Sequence, residues 1–120
     1  MQDKIGYIET KNRKYPICFN LNVMEEIQEK YGTITTWGEL VTNKDGGEPK
    51  IKELKEGLLM MINEAIDLQN EDKEESDKQD PVTSRQVGRI ISEVGFTKTT
   101  EIIMSLSKES TETGEEGKNE

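Results

Sequence analysis

The chain has 120 residues, 31% of them hydrophobic, with 25 acidic against 16 basic side chains and a formal net charge of -9. That length holds one domain with no second core beside it. With no histidine, every Ser-His, Cys-His and His-metal arrangement is excluded, and with Cys18 as the single cysteine neither an intrachain disulfide nor a thiolate zinc site can form.

Two stretches distort these averages. Residues 69–81 carry six acidic and two basic side chains, residues 107–120 five and two, and neither contains a hydrophobic residue. They hold -7 of the net -9, so the remainder is close to neutral and dense enough in apolar residues to form a core. Broad nucleic-acid binding is disfavoured, because a binder needs Lys and Arg to displace phosphate counterions. The opening residues MQDKIGYIET lack the apolar stretch of a secretory signal, and no apolar run approaches roughly 18 residues, so neither export nor a membrane span is expected.

In chain order, residues 5–19 read as a β-hairpin, IGYIE and YPICF flanking the polar turn TKNRK. Pro16 cannot donate to a ladder and marks an edge strand. Cys18, between Ile17 and Phe19, reads as a buried inert thiol, and a lone free thiol suits a reducing cytoplasm. A first helix is expected from Asn22-Val23-Met24-Glu25, an Asn-initiated capping box, with Val23, Ile27 and Tyr31 on one face and Gly32 as the stop. Thr36-Trp37-Gly38-Glu39 repeats the box for a short helix through Val41, anchored by Trp37.

The longest helix is expected over residues 48–68, with Ile51, Leu54, Leu58, Ile62, Ala65 and Ile66 at helical spacing. Leu59, Met60 and Met61 widen this stripe over most of one turn. A helix so apolar is either central to the core or covered by a partner. Residues 69–81 follow as a disordered acidic loop. Thr83-Ser84-Arg85-Gln86 then caps a helix bearing Val87, Ile90, Ile91 and Val94, Gly95 ends it, and Phe96 suits the apolar contact of a Schellman motif. A last helix is expected from Lys98 to about Leu106, before a disordered acidic tail over 107–120.

The fold class expected is therefore α+β and mainly helical: an N-terminal hairpin on four to five helices, in one domain over residues 1–106. Its expected core contains Phe19, Val23, Ile27, Trp37, Leu54, Leu58, Ile62, Val87, Ile90 and Val94.

Sites for chemistry are harder to find. The loop EDKEESDKQD invites a calcium reading, but an EF-hand frame beginning at Asp72 has Asp77 where glycine is required and Thr83 where glutamate is required. No phosphate-loop pattern is present, so no catalytic, metal or cofactor site is assigned and no enzyme is expected. Residues 83–106 have the outline of a helix-turn-helix, two short helices joined through Gly95. Arg85, Arg89 and Lys98 against Glu93 and Glu101 give that segment a net of only +1, so a small helix-turn-helix DNA-binding regulator is the alternative and not the first reading. The flexible side chains Leu59, Met60 and Met61, joined by Ile103 of the last helix, form the candidate partner-binding surface.

The order of these features resembles a known family. A charged hairpin, RKYPICFNLNVMEEIQEKYG, a short Trp-containing helix, a long Leu and Met helix, an acidic gap and the pair PVTSRQVGRIISEVGF are similar, over residues 4–106, to the tail assembly chaperones of phages and prophages of Gram-positive bacteria. The resemblance implies a non-enzymatic protein of the host cell cytoplasm, absent from the mature virion and without cofactors. It implies two partners: the tape measure protein, which such chaperones coat, and the tail tube protein, which they recruit. Many members exist in two lengths, the longer made by frameshifting, and this chain would correspond to the short form. The sequence leaves self-association open.

Overall fold

The computed structural model describes the backbone of residues 4–119 and the side chains of residues 4–110. It is α+β: β1 (Ile5–Glu9) and β2 (Lys14–Cys18) form an antiparallel hairpin, and five α-helices follow. Thr10 closes the turn, its amide donating to the Arg13 carbonyl at 2.8 Å. Tyr7 lies opposite Pro16, which suits a two-stranded sheet in which both strands are edges. Pro16, Ile17 and Cys18 are all buried although consecutive residues point to opposite faces, so β2 is covered on both sides. The long helix packs against β2 and the last helix against β1. A lone hairpin is marginal in water, and these two helices supply what it lacks.

Helix α1 (Leu21–Tyr31) is capped by Asn20, whose side chain accepts from the Val23 amide at 3.2 Å. This corrects the cap expected at Asn22, which lies inside the first turn and donates across to Glu64 at 2.9 Å. Gly32, at φ 91°, ends the helix as expected. Helix α2 (Ile34–Val41) is likewise capped one turn early, by Thr33 instead of Thr36; the Thr33 hydroxyl accepts from the Thr36 amide at 2.9 Å. In both places two polar residues compete within three positions, and the one whose backbone is extended takes the cap.

Helix α3 (Ile51–Asn70) is central: α1, α2, β2 and the fourth helix all pack on it. Its buried side is Leu54, Leu58, Met61, Ile62, Ala65 and Ile66, with Gly57 where the Trp37 ring rests. Ile51, expected in the stripe, is 57% exposed because it is the first residue of the helix and projects beyond the packed layers.

The Tyr31 hydroxyl, at the end of α1, donates to Glu56 of α3, and the Lys30 ammonium lies 3.3 Å from the same carboxylate. Burial first, then this hydrogen bond and the charge of Glu56, push the Tyr31 phenol above its ordinary value. The hydrogen bond from Tyr31, helped by Lys30 and opposed by burial, holds the Glu56 carboxyl below its own. A depressed carboxyl stabilises the fold above its unfolded pKa and loses that contribution as pH falls through the folded value. A raised phenol stabilises below about 10 and loses its contribution as pH rises towards the folded value. Tyr31→Phe is accordingly expected to raise the Glu56 pKa, read from the side-chain carboxyl in an NMR titration. An unmoved titration would assign the depression to Lys30 instead.

The acidic loop differs from the structureless one expected. Residues 75–77 form a 3-10 turn, and the strand-like approach to the next helix is fastened to α3 by two asparagines. The Asn70 side chain both donates to the Gln79 carbonyl at 2.9 Å and accepts from its amide at 3.0 Å. Asn63 does the same for Val82, at 3.1 and 2.8 Å. Residues seven apart share a face of a helix, so these two amides offer the backbone of 79–82 the bonds a neighbouring strand would. Val82, 5% exposed, adds the apolar anchor. The correction has a clear cause: two side-chain amides of α3, together with the buried Val82, order the end of this loop.

Helix α4 (Ser84–Val94) begins at Thr83 with the full capping box expected there, Thr83 and Gln86 bonding each other's backbone amides. Val87, Ile90 and Ile91 are buried, whereas Val94, expected in the core, is half-buried at the exit of the helix. Gly95, at φ 100°, turns the chain, and α5 (Phe96–Asn119) starts at once instead of at Lys98. Thr99, Thr100, Ile103 and Leu106 face inward, and Leu106 would meet any side chain placed at Gly6. The helical backbone continues past Leu106 to Asn119. Of the tail expected to be disordered, residues 111–120 lie outside the described side chains. The other expected core residues, from Phe19 to Ile90, are all buried.

Candidate functional site

The four side chains expected to form a partner surface do not form one. Met61 and Ile103 are fully buried in the core. Met60 lies one turn from both Glu56 and Glu64, which reach Tyr31, Asn20 and Asn22, so it sits on the α1 flank of α3. Leu59 lies one turn from Lys55 and Asn63, which face α4 and its entrance, so it sits on the opposite flank. Both are half-buried. Three consecutive helical residues point about 100° apart, and the neighbours of α3 divide them between two seams and the core.

The helix pair read as a helix-turn-helix has its own geometry. Thr99 and Thr100, in the first turns of α5, are buried, with hydroxyls that have no hydrogen-bond partner, so that part of the would-be recognition helix faces the core. Arg85 and Arg89 lie on the outer face of α4, towards α3. Among the described residues no group of three Cys, Asp or Glu side chains is placed to hold a metal ion, and no helix is long and apolar enough to cross a membrane.

An open groove runs between the N-terminal half of α3 and the outer face of α4. Ile51 and Lys55 form one wall; Arg85, Gly88, Arg89, Ser92 and Glu93 form the other. The spacing explains both walls, because residues four apart on a helix stack on one face. Val87, Ile90 and Ile91 anchor α4 from behind, which turns Arg85, Arg89 and Glu93 outward. The Lys55 side chain passes over Gly88, where a Cβ would stand in ordinary contact, 3.5 Å from its Cε and Nζ. Glu93 accepts from the Lys11 amide of the hairpin turn. Among the described residues, Lys55, Arg85 and Arg89 make no ion pair or hydrogen bond. Three cations outside any ion pair, with the one carboxylate of Glu93 beside them, therefore surround a half-exposed isoleucine on a chain of net charge -9.

Sequence reasoning counted Arg85 and Arg89 but treated them as part of a helix pair with Lys98. Their four-residue spacing was visible; their juxtaposition with Ile51 and Lys55 was not. No protein-family model, curated protein or solved structure matches the chain.

Proposed function

We propose that this protein is a phage or prophage tail assembly chaperone in its short form, a non-enzymatic protein of the host cytoplasm that stays out of the mature virion. It holds the tape measure protein in soluble form and helps bring tail tube subunits to it. The observation that carries the reading is the order of elements. The hairpin, the first helix, the short helix with Trp37, the long Leu and Met helix, the acidic gap and the helix pair follow one another in the order on which the resemblance was drawn, and this order supports the reading. A holdase also needs adaptable apolar surface within a charged exterior that keeps the complex soluble. Half-buried Met24, Leu59, Met60 and Met104 and the 77% exposed Leu21 offer the first, and the net charge of -9 the second.

Co-expression with the tape measure protein of the same genome tests the reading. The tape measure protein is expected to move from the insoluble to the soluble fraction and to co-purify with this chain. A tape measure protein that stays insoluble, or this chain recovered in stoichiometric amounts from purified particles, would reject it.

A further inference from the structure

We propose that the groove between α3 and α4 is a docking site for an acidic amphipathic peptide segment of a partner protein, its carboxylates on Lys55, Arg85 and Arg89 and an apolar side chain on Ile51. The proposal rests on the groove itself and is independent of the function proposed above. Four lysines of the described surface are held in ion pairs, Lys4 with Glu109, Lys30 with Glu56, Lys44 with Glu39 and Lys78 with Glu75. In the groove the two walls bring together three cations, none of them in an ion pair, against the single carboxylate of Glu93. Like charges gathered on adjacent helices repel, and an occupant bearing carboxylates relieves that repulsion while arginine offers each of them a two-pronged contact.

Ile51 selects among acidic occupants. Its side chain is 57% exposed at the lip of the groove, where a partner's apolar residue would remove both surfaces from water. The acidic loop of a second copy, residues 69–81, has no hydrophobic residue to place there. A nucleic acid fits less well. Glu93 closes one end of the cationic row, and the field of a strongly acidic protein opposes a long polyanion more than a short peptide.

The test is fluorescence anisotropy on the full chain with a labelled synthetic peptide of glutamate and leucine at helical spacing. A glutamate-only peptide of equal charge and a single-stranded DNA oligonucleotide serve as comparisons. The glutamate-leucine peptide is expected to bind, more weakly as salt rises. Arg85→Glu with Arg89→Glu should weaken it roughly tenfold or more, and Ile51→Ser several-fold. Lys55→Glu, on the other wall, is the independent variant should the double reversal lower the melting temperature of α4's packing. Unchanged binding in these variants would overturn the proposal, and equal affinity for the glutamate-only peptide would reduce it to diffuse attraction. Tighter binding of the oligonucleotide would make the groove a nucleic-acid site. Dissociation by the Arg85 and Arg89 reversals of a dimer formed by the unliganded chain would give the groove to a second copy.

Discussion

Trp37→Ala is expected to destabilise the protein by about 3–5 kcal/mol, a large part of the roughly 5–15 kcal/mol that holds a domain folded. Trp37 is fully buried, stacks on Phe19 with ring centroids 6.4 Å apart, and donates from its indole nitrogen to the Glu53 carbonyl at 3.2 Å. Trp37 thereby joins α2 to α3 and to the end of the hairpin. The fit depends on Gly57: a Cβ at that position would lie 2.9 Å from the indole Cε2 and closer still to Cζ2. Gly57→Ala should therefore cost about 1–3 kcal/mol by overpacking, although alanine in a free helix would be favoured over glycine by about 1 kcal/mol. Chemical denaturation of a double-mutant cycle separates the two effects. In a Trp37→Leu background, where the ring is gone, Gly57→Ala should become neutral or stabilising. The same penalty in both backgrounds would mean that the indole is not what excludes a side chain at 57.

Met61→Asp should abolish the cooperative thermal transition seen by circular dichroism, while Met60→Asp should leave it close to wild type. Met61 is fully buried beside Leu58 and Ile62, and an ionised carboxylate without a partner there costs several kcal/mol, comparable to the whole stability margin. Met60, one position earlier, reaches solvent at the α1 seam and can hydrate a carboxylate. The pair also bears on the client of the proposed chaperone. A folded Met60→Asp protein that no longer keeps the tape measure protein soluble would place the client at the α1–α3 seam; one that still does would place it elsewhere. A native fold in Met61→Asp would contradict the packing of α3.

Glu56 and Tyr31 show how far local reading reaches. Tyr31 was legible as the last apolar position of the first helix face, but its phenol was not legible as a hydrogen-bond donor to a carboxylate on another helix. The same holds for Asn63 and Asn70. Their seven-residue spacing is written in the chain, yet nothing near them in sequence says that they will bond the backbone of Val82 and Gln79.

What the sequence by itself determined is what depends on groups within a turn or two of one another. The capping box of Thr83 and Gln86, the stops at Gly32 and Gly95, the hairpin about its polar turn and the apolar stripes of α3 and α4 are all of this kind, because the interacting atoms are neighbours along the chain. Where two polar residues competed over that short range, as at Asn20 and Asn22 or Thr33 and Thr36, only the path of the incoming backbone chose between them. The tertiary structure alone decided which of Leu59, Met60 and Met61 is buried, since all three are apolar and only the positions of α1, α4 and the hairpin distinguish them. It alone set Ile51 and Lys55 beside Arg85 and Arg89, because a groove is made by two surfaces and each helix carries the pattern for its own.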